Sequence, residues 1–124
     1  MTHAISAVHH RGNGTLNAAI SQALVRIHHV HVGRGPARAR TSIDDDTITV
    51  IMHDVFTPAE AAMIAAGHVK QVLALREALQ AAMHGKIVAA IESLTGRKVA
   101  ALISANHVEP ALSVEICLLE PGAG

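Results

Sequence analysis

The sequence predicts an α+β fold in the order α-ββ-α-ββ, a four-stranded, mostly antiparallel sheet with a long helix packed on one face. Three observations point there. Thr57 to Gly96 reads as one long helix or two in line. A pair of short strand-like runs precedes it and another pair follows. The chain has 124 residues, enough for one domain. The expected organisation is a disordered tail over residues 1–13, a single domain over 14–120 and a short tail over 121–124.

The first helix is expected over Thr15 to His31, with Leu16, Ile20, Ala23 or Leu24, and Ile27 on its apolar face and Gly33 as its stop. Gly33-Arg34-Gly35-Pro36 turns the chain into a strand from Ala37 to Ile43, with Arg38, Arg40 and Ser42 on one side and Ala37, Ala39, Thr41 and Ile43 on the other. Asp44-Asp45-Asp46 is a polar turn. The returning strand, Thr47 to His53, is rich in β-branched residues, with Ile48, Val50 and Met52 on one side.

Thr57-Pro58-Ala59-Glu60 writes the long helix's start. Thr57 caps, Pro58 loses nothing at the first helical position, and Glu60 reaches back to the cap. Leu94-Thr95-Gly96 writes its end, with Gly96 as a left-handed stop. Val72, Leu75, Leu79, Met83, Ile87, Ile91 and Leu94 recur at helical spacing and are expected to face the core, leaving Arg76, Glu77, Gln80, His84, Lys86 and Glu92 off the stripe. A break is expected at Gly67 and continuity through Gly85. Lys98 to Ala105 and Leu112 to Leu119 are the closing strands, joined by a turn over Asn106 to Pro110. In the last strand Leu112, Val114, Ile116 and Leu118 alternate with Ser113, Glu115, Cys117 and Leu119. The sheet face away from the helices is solvated or shared, and Ile51 and Leu102, expected on it, favour sharing.

Composition narrows the function. Ala supplies 23 residues, and Phe56 is the one aromatic residue beside histidine, so the core is thin and a homo-oligomer is expected. The single cysteine, Cys117, reads as a core thiol and fits a reducing compartment. No apolar run reaches the roughly 20 residues of a membrane helix, and no signal peptide is seen, so a cytoplasmic protein is expected, reaching a membrane only through a partner. Net charge is zero but divided. Arg11, Arg26, Arg34, Arg38 and Arg40 precede Asp44 with no acid among them, and all ten acids lie from Asp44 onward. That polarity suits a phosphate- or carboxylate-bearing partner, or contact between subunits.

Three constellations are candidates for chemistry. Gly33, Arg34, Gly35, Arg38 and Arg40 form a patch suited to an anion or a docking partner. Its loop follows a helix and opens a strand, the reverse of a phosphate-cradling loop, and Pro36 removes a donor, so a structural turn stands beside the docking reading. His28 and His31 share a helical face and are weak metal candidates, without a paired cysteine or an acid nearby. Ser104 and Ser113 show no triad pattern. No catalytic set, cofactor or strong nucleic-acid signal emerges.

Gly-Arg-Gly-Pro at 33–36, the aspartate turn, Phe-Thr-Pro-Ala-Glu at 56–60 and Leu-Thr-Gly at 94–96, in this order and spacing, resemble the MpsC-like family of small bacterial proteins. The resemblance covers roughly residues 15–119. It implies a non-catalytic accessory subunit of a membrane-potential-generating system linked to sodium translocation and inorganic carbon uptake, with a membrane transporter subunit as partner. It brings no catalytic residues. The alternatives are a regulator binding anions or nucleic acid through Arg34, Arg38 and Arg40, and a histidine-based metal-binding module.

Overall fold

The structure, a computed structural model, describes residues 3–122, with side chains described from residue 14 onward. The side chains of the tail expected over residues 1–13 lie outside that range, as do residues 123–124. The elements are α1 (His3–Val32), β1 (Arg38–Asp44), β2 (Thr47–His53), α2 (Pro58–Ala65), α3 (Val69–Thr95), β3 (Val99–His107) and β4 (Leu112–Leu119). The chain is already helical at Thr15, where the sequence places the helix start. The sheet runs β1-β2-β4-β3 with every pairing antiparallel, so the α+β expectation holds.

The ends of the long helical stretch follow their residues. Thr57 Oγ1 accepts from the Glu60 N–H at 3.1 Å, and Glu60 Oε1 accepts from the Thr57 N–H at 2.9 Å. This reciprocal pair opens α2 with Pro58 in its first turn. Gly67, at φ +91°, separates α2 from α3, a conformation glycine adopts without the Cβ penalty. The helix then passes through Gly85 without interruption and ends at Gly96 in the left-handed region, φ +69°. Just beyond, Arg97 donates to Asp46 at 2.6 Å and to the Glu120 carbonyl at 2.7 Å. That side chain ties the β1–β2 turn to the end of β4.

The helices cover one face of the sheet. Ile20 and Leu24 of α1 and Val72, Met83, Ile87 and Ile91 of α3 pack with Ile48, Val50, Met52, Cys117 and Leu119. Each such aliphatic side chain contributes about 1.5–3 kcal/mol by leaving water. The expected stripe on α3 needs correction. Leu75 and Leu94 are exposed, whereas Arg76 and Gln80 are buried beside Val72, Met83, Ile87 and Ile91. The inward line is rotated from the predicted one about the helix axis.

The register shows why that rotation is tolerated. Inward rows across the sheet read Ile43–Ile48–Cys117–Leu102, Thr41–Val50–Glu115–Ser104 and Ala39–Met52–Ser113–Asn106. Polar residues from β3 and β4 therefore meet Arg76 and Gln80 from α3. Leu102 thus belongs to the inner face, correcting its expected place, while Ile51 pairs with Val114 on the open face. Leu112, Val114, Ile116 and Leu118, the more apolar side of β4, all point away from the helices. Ile103 is 59% exposed and Leu118 47%.

Candidate functional site

The residues of the Arg34 patch are placed in two different settings. Gly33 ends α1 at φ +86°, its N–H bonded to the His29 carbonyl at 3.0 Å. Gly35 lies beside the helix, where an added Cβ would meet Val25 Cγ1 at 3.4 Å, an ordinary van der Waals contact. Between them Arg34 reaches back across the fold. Its guanidinium donates to the Phe56 carbonyl and, at 3.2 Å, to Asp54 Oδ2. Asp54 leaves β2 in the left-handed region, φ +56°, and Phe56 precedes the cap of α2. Arg34 and Pro36 therefore belong to a turn that clips the end of α1 to the β2–α2 junction, and Arg34 makes two side-chain hydrogen bonds there.

Arg38 and Arg40 alternate on the outward side of the edge strand β1, both exposed. Among the described residues no carboxylate lies within ion-pair distance of either. With His53 they border a groove of about 550 Å³ between β1 and α1, whose other wall includes Asn17 and Ser21. The Ser21 and Thr41 hydroxyls hydrogen-bond across it at 2.7 Å. Two free guanidinium groups on a free strand edge form a surface suited to carboxylate or phosphate.

The two candidate metal-binding histidines are tied to their own helix. His28 Nδ1 donates to the Leu24 carbonyl at 2.8 Å and His31 Nδ1 to the Ile27 carbonyl at 3.0 Å. His28 is buried, and burial pushes its pKa below the usual histidine value, against the Leu24 hydrogen bond. Among the described residues no three His, Cys, Asp or Glu side chains converge on a point where an ion would sit.

Sequence reasoning missed a buried polar layer between α2, α3 and the sheet. At its centre Arg76, 1% exposed, donates from Nη1 to the Val55 carbonyl at 3.3 Å and to Glu60 Oε1 at 3.4 Å, and from Nη2 to Ser113 Oγ at 3.4 Å. Its guanidinium lies 5.7 Å from the Phe56 ring centroid. Glu60 thus serves twice, as helix cap and as counter-ion. Ser113 passes a hydrogen bond to Asn106 at 2.7 Å, and Asn106 exchanges two amide bonds with Gln80 at 3.0 Å each. Beside them Glu115 accepts from the Ser104 hydroxyl. Burial raises the Glu115 carboxyl to about 7, with Ser104 and the Arg76 charge opposing. Burial also lowers Arg76, with Glu60 holding it charged.

This layer has the charges of an acid–base site but not the access. Arg76, Glu60, Ser113 and Glu115 are each at most 3% exposed, so no substrate reaches them without opening the α3–sheet seam. The layer fixes how α3 sits on the sheet. The sequence signal was present in Arg76 and Gln80, four residues apart, and in Ser113 and Glu115, two apart in a strand. These are the helical and strand periods of inward faces.

Geometry thus leaves an accessible arginine surface at one sheet edge, an uncovered apolar sheet face and a closed polar seam. Among the described residues no helix is long and apolar enough to cross a membrane. No curated protein and no solved structure matches the chain. The family model described as "Na+-translocating membrane potential-generating system (MpsC)" matches residues 12–121, which hold both sheet hairpins, α2, α3 and α1 from residue 12 onward, and the chain belongs to the MpsC family.

Proposed function

We propose that the chain is a non-catalytic, self-associating accessory subunit of a Na+-translocating, membrane-potential-generating system, held at the cytoplasmic side of the membrane by a transporter partner. The family match over residues 12–121 carries this reading. The bare sheet face with Arg38 and Arg40 at one end supports it, since that surface offers apolar area and unpaired cations together. Arg34 is outside the proposed docking surface because it holds the fold. The closed polar seam supports a structural role, as its ionisable groups have no path to a substrate.

A tagged pull-down from native membranes, read by mass spectrometry, tests the membrane role. The wild type should recover an integral membrane component, and an Arg38→Glu/Arg40→Glu variant should lose it. Recovery of no membrane protein by the wild type would overturn the reading. The same arginine pair gives an anion-binding regulator as the second reading. Binding of phosphate-bearing ligands that weakens with salt and with the Arg38/Arg40 change, with no membrane component captured, would favour it. Nucleic acid is the weaker version, because the lone Phe56 is buried and offers no stacking platform.

A further inference from the structure

We infer that the open sheet face is the seat of a second copy of this chain, related by a two-fold axis that runs in the interface at right angles to the strands. The inference rests on the self-association part of the proposed function and names its surface. The outward rows are Arg38–His53–Leu112–His107, Arg40–Ile51–Val114–Ala105, Ser42–Thr49–Ile116–Ile103 and Asp44–Thr47–Leu118–Ala101. The arginines Arg38 and Arg40 lie at one end, beside His53. Carboxylates lie at the other, in Asp44 and in Asp45 and Glu120 just beyond it, with Lys98 and the Asp46-paired Arg97 alongside. Aliphatic side chains fill the middle of β4 and β3, joined by Ile51 of β2 beside Thr49.

That pattern complements itself under one symmetry. An axis beneath the row Ser42–Thr49–Ile116–Ile103 sets each of these residues against its own copy. Arg40 then lies over the partner copy's Asp44, His53 over its Asp45, and Val114 over its Leu118. Apolar meets apolar and cation meets carboxylate, as an isologous interface requires. An axis parallel to the strands would instead place β1 over β3, where Arg40 meets Ala105, Asp44 meets Ala101 and no cation meets an acid. Four strands at about 4.8 Å spacing, each about seven residues long at about 3.3 Å, give a planar footprint of roughly 19 by 23 Å. That flat area of about 440 Å² is roughly half of the ~800 Å² per partner of a standard interface, which fits a concentration-dependent dimer rather than a permanent one. The assembly is a four-layer α/β/β/α stack, with the two sheets about 10 Å apart.

Sedimentation across a concentration series tests this on the full chain. The wild type should show a monomer–dimer equilibrium. Ile116→Asp, which places a carboxylate against its own copy at the axis, should give a monomer with an unchanged circular dichroism spectrum and melting profile measured in dilute solution. Arg40→Asp or Asp44→Arg alone should weaken the dimer by on the order of tenfold, and the double exchange should restore most of it. A wild type that stays monomeric overturns the inference, as does a dimer indifferent to Ile116→Asp or singles not rescued by the exchange. A dimer that recovers no membrane component leaves this inference standing and removes the membrane role. A monomer that captures one, and loses it on Ile116→Asp, gives the face to that component instead.

Discussion

The two faces of the sheet both mix polar and apolar residues, but the β3–β4 half is the more polar beneath the helices and the more apolar on the bare side. The covered face carries Thr41, Ser104, Asn106, Ser113 and Glu115 among its aliphatic residues, whereas the bare face carries Ile51, Ile103, Leu112, Val114, Ile116 and Leu118. Alternation in a strand separates two sides but does not say which one the helices cover. Here the choice is made by α3, which brings Arg76 and Gln80 to the sheet and needs polar partners under them. The β3–β4 part of the inner face is polar to match the helix above it, while β2 keeps Ile48, Val50 and Met52 there. The β3–β4 half of the outer face is apolar without any helix above it, the usual mark of an interaction surface.

The sharpest way to break this contrast is to remove the cation from the covered side. Arg76→Ala leaves Glu60 and Glu115 buried without a counter-charge, and removing one partner of a buried pair costs about 3–5 kcal/mol. Urea unfolding should show a loss of that order. A loss under about 1 kcal/mol would mean that the seam admits water and is not the closed layer described. Next come two isoleucines that composition alone does not distinguish. Ile87, fully buried under α3, should cost about 2–5 kcal/mol on truncation to Ala. Ile103→Ala, on the bare face, should cost well under half of that in dilute solution, where no second copy contributes. Equal losses would erase the distinction between the faces.

Glu115→Gln gives a smaller effect with a definite sign. In the folded chain the Glu115 pKa is about 7 against an ordinary 4.5, so between those values the native state keeps a proton that the unfolded chain releases. Its contribution to stability is fully present below 4.5 and is lost as pH rises to 7, by about 1–3 kcal/mol. His28 acts in the opposite sense. Its folded pKa is lowered, so its contribution is complete above 6.5 and is lost as pH falls below that. The two slopes offset one another on the acid side. Glu115→Gln keeps an acceptor for Ser104 and removes one slope. The variant should rise in stability up to pH 6.5 and then level, and should exceed the wild type at pH 8 in chemical denaturation. Parallel curves for the two proteins would show that Glu115 titrates alike folded and unfolded.

Much of the fold was legible because its boundaries are written in local chemistry. Thr57 and Glu60 supply side-chain caps, Gly67 and Gly96 take a positive φ that few other residues supply, and the structure puts helix ends at all three places. The strand pairs were legible from β-branched runs around short turns. The facing of α3 was not, because Leu75 and Leu79 lie next to Arg76 and Gln80 on the helix surface, and hydrophobicity alone favours the leucines. Only the sheet's own polar row, read together with the helix, tips the choice. Leu102 was misplaced for a related reason: β3 has no clean alternation, and a register irregularity at Val99/Ala101 shifts its count. In the arginine patch, the sequence grouped three side chains by proximity along the chain, while folding engaged the first of them in the junction before α2.

That division of the arginines gives the finest test of covered against bare. Arg34 donates to the Phe56 carbonyl and to Asp54, and its side chain is 39% exposed. Solvent screening reduces the ion-pair part of that arrangement, but the hydrogen bond to a carbonyl just before a helix cap positions the start of α2. Arg34→Ala should therefore cost about 0.5–1.5 kcal/mol in urea unfolding. Arg40 touches no carboxylate of its own chain among the described residues, and Arg40→Ala should change monomer stability by no more than about 0.5 kcal/mol. Its effect belongs to association. Equal destabilisation by both changes in dilute solution would mean that Arg40 supports the fold as Arg34 does, and the cationic end of the bare face would lose its claim to be held in reserve for a partner.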